Sequence, residues 1–277
     1  MKKLSGHSGC NVWLMDEQGS PFVRKQSSSL PYNMRLKRQF IKQRKFCLSN
    51  IKTPAIWGCG LNNGLFYFDM EFIRGVSMSQ YMDSIKVEEI ESLTSLLFHS
   101  LQIKKGKKHI SADKIFKTKI TSLEKMLDKN IVIEKVLSKL KHFDFSLVPY
   151  SACCGDLTLE NIILSPEGIY VIDLLDSFYN SWMLDVAKIL QDVDLYWSYR
   201  DIQMSPILKR NLLLAKDLLH RKIFELENGP EKLLTIYHLL LLNLLRIYPY
   251  SVDEKTIKFL DKSCVVCLQT IKKLERK

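Results

Sequence analysis

The stretch SACCGDLTLENIILSPEGIYVIDLLDS, residues 151–177, decides how the rest of this 277-residue chain is read. Two short apolar runs, 162–164 and 170–172, flank the turn sequence Ser165-Pro166-Glu167-Gly168 and predict a β-hairpin. Asn161 stands just before the first run and Asp173 just after the second, so strand pairing brings both to the open end. Asp156, five residues before Asn161, falls at that end too. Two carboxylates and an amide oxygen thus converge within a few ångströms, because paired strands lie about 5 Å apart. One reading is a polar turn between buried strands. The other is chemistry: phosphoryl transfer needs a carboxylate to take or orient the proton of an attacking hydroxyl. It also needs hard oxygens to hold magnesium against nucleotide phosphates. Asp156 suits the first task, Asn161 and Asp173 the second.

Upstream, 11–16 and 21–26 read as strands around Glu17-Gln18-Gly19-Ser20. Residues 33–48 place Met34, Leu36, Phe40, Ile41 and Phe46 at helical spacing, and 54–73 read as two strands around an Asn-Asn-Gly turn. After Gly75 the pattern turns helical, over 77–101 and 110–140, with a cap region at 111–113. It is helical again from Met183 to the end. The expected architecture is α+β and two-lobed: residues 1–73 a small sheet with one helix, residues 74–277 a mainly helical lobe carrying the acidic hairpin.

Apolar content of 46% and charged content of 26% are ordinary for a soluble protein. The first ten residues lack the apolar core of a signal peptide. The most apolar stretch, 233–248, is interrupted by His238, Asn243 and Arg246 and reads as a buried helix, not a membrane span. A cytoplasmic location is expected, and seven cysteines, an odd number, suit reduced thiols. Cys264 and Cys267 lie in a Lys-rich helical pattern with no second pair, so no zinc or redox site is expected there. The net charge of +11 peaks in the run 104–108, where Lys104, Lys105, Lys107 and Lys108 crowd together. Without interleaved aromatics or a recognition motif, this predicts a solvated face and no nucleic-acid partner. The charge also suits anionic ligands such as nucleotides, or peripheral contact with an acidic membrane surface.

The segment Cys154-Gly155-Asp156-Leu157-Thr158-Leu159-Glu160-Asn161, followed by Val171-Ile172-Asp173, resembles the aminoglycoside phosphotransferase and choline kinase family, which shares the protein-kinase-like fold. The resemblance implies that Asp156 is the catalytic base and that Asn161 and Asp173 are magnesium ligands. Asp185, in WMLDVAKILQD, matches the helix aspartate that buttresses the catalytic loop. Gly6, Ser8 and Gly9 fall where a phosphate-covering loop belongs, and Lys25 is placed to reach the nucleotide phosphates. Glu71 and Ile73, in MEFIRG, match the connector whose backbone holds adenine. ATP and magnesium are the implied cofactors, and a small hydroxylated molecule the implied acceptor.

Two departures stand out. Cys154 replaces the usual loop-supporting His, and residues 35–46 hold no acid to pair with Lys25, with Gln39 the best substitute. No activation segment intervenes before the helix at Leu184, eleven residues past Asp173, which favours a small-molecule acceptor over a protein. Asp176, Asp192 and Trp197 are candidate acceptor contacts, Asp176 also a candidate second metal contact. A nucleotide-binding pseudokinase with a regulatory or scaffolding role is the alternative function.

Overall fold

The computed structural model describes residues 2–4, 10–17, 19–102, 111–128 and 130–276. In chain order the first part comprises β1 (Lys2–Leu4), β2 (Cys10–Glu17), β3 (Ser20–Ser27), α1 (Asn33–Lys45), β4 (Ile51–Lys52), β5 (Ile56–Asn62) and β6 (Leu65–Glu71). All these strands except β4 form one antiparallel sheet in the order β1-β2-β3-β6-β5. The turn between β5 and β6 is the two-residue Asn63-Gly64, with φ of 50° and 77°, the left-handed pair that a tight hairpin requires. Under the sheet, Val23, Leu36, Phe66, Phe68 and Met70 form a small core.

Helix α1 departs from its expected face. Leu36 is buried, yet Met34 and Ile41 are exposed, while Gln39 and Gln43 are buried. Burying an amide is tolerable only when it is hydrogen-bonded. Gln43 Nε2 donates to the Pro54 carbonyl at 2.9 Å, and Gln39 bonds to Lys25.

The remainder is mainly helical: β7 (Val76–Ser77), α2 (Met78–Tyr81), α3 (Val87–Gln102), α4 (Ala112–Glu124), α5 (Ile131–His142), β8 (Ile162–Ser165), β9 (Gly168–Val171), α6 (Trp182–Val193), α7 (Pro206–Phe224), α8 (Gly229–Leu245) and α9 (Glu254–Leu274). Each expected long helix is two. Ser77 caps the single turn of α2. The Asn130 side chain caps α5 by accepting from the Val132 and Ile133 N–H groups at 2.9 and 2.8 Å. Ser111 precedes α4 without a side-chain cap bond.

The predicted hairpin is β8–β9, paired from Ile162↔Val171 to Ser165↔Gly168. It is widened by β4, parallel to β9, and by β7, antiparallel to β8. Through β4, Ile51 joins the larger core although it lies in the first 73 residues. The apolar stretch forms α8, which packs against α5, α6, α7 and α9. It is long and apolar enough to cross a membrane, but most of it is buried within the protein. Cys264 and Cys267 are buried free thiols on α9.

Candidate active site at the open end of the acidic hairpin

The Ile172 N–H donates to the Asn161 carbonyl at 3.0 Å, so Asn161 and Asp173 flank the hairpin's open end. Asn161 Nδ2 donates to the Asp156 carbonyl at 2.8 Å, which holds Asp156 at the same end and turns the amide oxygen the other way. Asp173 has φ of 57°, a left-handed conformation that Asp tolerates better than most residues and that often marks a functional site.

Lys25, buried in β3, reaches this end from the sheet. Its Nζ forms an ion pair with Asp173 and donates to Gln39 Oε1 at 3.1 Å. Burial alone would pull the Lys25 pKa down, but the Asp173 carboxylate beside it leaves it above the ordinary lysine value. The ammonium stays charged. Gln39 therefore fills the neutral role expected of it. With no acid in α1 to pair with it, Lys25 takes Asp173 itself as its ion-pair partner.

Helix α6 organises the loop 154–159 from beneath. Asp185, fully buried, accepts from the Cys154 and Gly155 N–H groups at 2.6 and 2.9 Å and from the Cys153 thiol at 3.3 Å. Asp192, two turns on, accepts from the Leu159 N–H at 2.6 Å and from the Ser198 N–H and hydroxyl at 3.0 and 2.8 Å. Between them Lys188 pairs with Asp156 at 3.0 Å. Positions 185, 188 and 192 share one helix face by the i, i+3, i+7 rule, so one face fixes both ends and the acid of the loop. Burial raises the pKa of Asp185, with the N–H bonds opposing the shift, and pushes Asp192 up to about 6.

These contacts correct one expectation. Asp192 is a buried anchor with every contact turned inward, so it is not an acceptor contact. Lys188 was missed altogether. Its signal was the spacing of Asp185, Lys188 and Asp192 along one face of a largely apolar helix.

Gly155 has φ of 93°, and a Cβ there would meet Ser177 Oγ and come within 2.8 Å of the Leu175 carbonyl. The Leu175 N–H in turn donates to the Cys154 carbonyl at 3.0 Å. Only glycine lets the two segments run this close. Cys154 is buried, and burial first, then Asp185, keeps its thiol pKa well above the ordinary value. It packs as a neutral thiol under the loop.

Of the remaining candidates, Asp176 pairs with Arg38 of α1 at 3.3 Å. Trp197 is half-buried, its ring 5.9 Å from Phe259 and 4.3 Å from the Arg200 guanidinium, so it serves packing on that side. Glu71 ends β6, and its N–H donates to the Ala55 carbonyl at 2.8 Å. An adenine held here would therefore be read by other main-chain groups of the segment, which continues through the half-buried Ile73. Gly6, Ser8, Gly9 and the 104–108 lysine run lie outside the described residues.

A small antiparallel sheet with one helix, a short connector, and a helical lobe whose acidic hairpin meets the sheet's lysine define the protein-kinase-like fold. No protein-family model and no curated protein sequence matches the chain. Solved structures do. A thermostable mutant of aminoglycoside phosphotransferase APH(4)-Ia, in ternary complex with ADP and hygromycin B, superposes with a TM-score of 0.65 at 11% identity, covering 96% of this chain and 92% of that one. Choline kinase LicA from Streptococcus pneumoniae gives 0.54 at 16% identity, over 97% and 93%. A candidate fructosamine-3-kinase from Haemophilus somnus 129PT gives 0.58 at 15%, over 96% and 90%. At such identities the likeness is one of fold.

Proposed function

We propose that the protein is a magnesium- and ATP-dependent phosphotransferase that moves the γ-phosphoryl group to a hydroxyl of a small molecule, a sugar, amino alcohol or aminoglycoside-like compound. The observation that carries this reading is the convergence of Asp156, Asn161, Asp173 and Lys25 from two sheets onto one hairpin end. In it, Asp156 takes or orients the acceptor's proton, and Lys188 holds the Asp156 carboxylate in place. Lys25 reaches the nucleotide phosphates, Gly6, Ser8 and Gly9 cover them, and main-chain groups of the segment 71–73 hold adenine.

Magnesium delivered with a nucleotide needs only one or two protein carboxylates plus phosphate and water. Asp173 and the outward-turned Asn161 amide oxygen fit that need, and the described residues hold no larger His, Cys, Asp or Glu cluster. When bound, magnesium would neutralise charge on the β- and γ-phosphates. The protein's share is positioning and electrostatics, since phosphoryl transfer asks for little covalent chemistry. A cytoplasmic location, where ATP is available and buried thiols stay reduced, belongs to the same proposal.

Magnesium-dependent ADP formation that requires one member of a panel of sugars, amino alcohols and aminoglycosides tests the reading. The pseudokinase alternative draws on Cys154 at the usual His position and on Gln39 where an acid is usual. It predicts nucleotide binding without turnover on any acceptor.

A further inference from the structure

One face of α1 fastens the sheet to the loop that follows Asp173. Lys42 Nζ donates to the Leu175 carbonyl at 2.6 Å and to Asn180 Oδ1 at 3.4 Å, so one ammonium grips both ends of the segment 175–180. The same Nζ stands 3.3 Å from where a Cβ on Gly155 would lie, which sets it against the loop 154–159 as well. One helical turn earlier Arg38 pairs with Asp176 at 3.3 Å, but its side chain is 63% exposed, and exposed ion pairs contribute little. Lys42 is half-buried, and a charged donor on a main-chain carbonyl is the stronger tie.

These bonds close a ring. Gln39 Oε1 accepts from Lys25 Nζ at 3.1 Å, Lys25 pairs with Asp173, and the chain runs two residues on to Leu175. The Leu175 carbonyl returns through Lys42 to α1, three residues from Gln39 and on the same helix face. Leu175 is held at its other end too, because its N–H donates to the Cys154 carbonyl at 3.0 Å. Asp173, with φ of 57°, has a backbone conformation that persists only where the surroundings over-determine it. Both departures of the sequence meet here: Gln39 stands in the ring, and Cys154 anchors it through the main chain.

We propose that Lys42 is a positioning residue, which docks α1 on the loop 173–180 and thereby holds Asp173 and Lys25 in the arrangement that takes magnesium and nucleotide phosphate. This deepens the phosphotransferase reading and rests on it. Lys42 acts through the Leu175 carbonyl and the Asn180 side chain, and so on the placement of Asp173. The ring contains both groups that meet the magnesium nucleotide, so α1 docking and magnesium-nucleotide binding favour each other by the same factor. Magnesium is the part that needs Asp173 in place. The gain in ADP affinity on adding magnesium is therefore the quantity that responds to Lys42.

Calorimetric titration of ADP with and without magnesium tests this on wild type, Lys42→Met, Lys42→Arg and Arg38→Met. Lys42→Met is expected to cut the affinity gained with magnesium about tenfold, while magnesium-free ADP affinity changes by less than about threefold. Lys42→Arg keeps a cationic donor and should restore most of the gain. Arg38→Met removes a charge from the same face and should leave the gain within about threefold. Hydrogen exchange of the Leu175 N–H, measured without nucleotide, should run about tenfold faster in Lys42→Met and near the wild-type rate in Lys42→Arg. Should Lys42→Met not fold, wild type alone answers: magnesium-ADP should slow exchange of the α1 amides around Lys42, and ADP without magnesium should not. An unchanged magnesium gain in Lys42→Met, equal losses with and without magnesium, an equal effect of Arg38→Met, or α1 exchange indifferent to magnesium-ADP overturns the proposal. Failure of wild type to bind ADP is a separate result that removes the phosphotransferase reading. Faster Leu175 exchange in Lys42→Met then still supports the docking role, and equal exchange overturns it.

Discussion

Lys25 and Asp173 hold each other across 148 residues of chain, and each has a further task in the proposed reaction. The pair keeps a buried ammonium charged until a nucleotide phosphate can share it. Lys25→Met should therefore lower kcat/KM for ATP by about two orders of magnitude, the usual cost of removing one preorganised electrostatic partner. Steady-state kinetics at varied ATP checks it. Gly155 is a second single-residue dependence. Gly155→Ala would force a side chain into Ser177 Oγ and the Leu175 carbonyl at positive φ. A loss of about 2 kcal/mol or more is expected from strain and clash together, read by urea denaturation, with turnover falling as the loop shifts. The carboxylates Asp156 and Asp173 and the amide of Asn161 were legible in the sequence because a single hairpin relates them. The Lys25–Asp173 bond was not, because it joins two sheets and no local pattern encodes it.

Among the elements, α6 does most to shape the site. Its pattern announced a buried helix, and Asp185 was legible through the motif around it. Asp192 read as a candidate acceptor contact and Lys188 drew no reading, because sequence shows spacing but not that a loop covers the face. Asp192 titrates near 6 when folded against an ordinary 3.8. The folded state thus keeps a proton that the unfolded chain gives up between those values. The stability from this group is full below about pH 4 and is lost as pH rises through about 6. The difference is about 3 kcal/mol at 1.36 kcal/mol per unit. Asp192→Asn should remove that slope from the unfolding free energy measured between pH 4 and 7. An unchanged slope would show that another group sets it. The strands β4 and β7 escaped sequence reading for a simpler reason, since two residues carry no periodicity. In α1 the buried glutamines share the inward face with Leu36 in place of Met34 and Ile41, because their partners, Pro54 and Lys25, lie outside the helix.

At the scale of the whole molecule, two separate cores of unequal size are bridged where Lys25 of the sheet pairs with Asp173 at the end of the hairpin. A ligand touching both sides should stabilise the native state as a unit. ADP with magnesium at about 100 times its Kd is expected to add about 2.7 kcal/mol and raise the Tm by several degrees, measured by scanning calorimetry. The two-lobed architecture was legible because strand and helix periodicities occupy different parts of the chain. In the proposed reaction this arrangement transfers a phosphoryl group directly from ATP to the acceptor, with Asp156 as the base. The most direct measurement is transfer of labelled γ-phosphate from ATP to a hydroxylated acceptor, with wild type and Asp156→Ala compared at saturating magnesium-ATP. A fall of about 10²- to 10⁴-fold in transfer, with ADP affinity retained, is the predicted result. Equal transfer by both proteins, or nucleotide binding with no transfer by wild type to any acceptor, would contradict it.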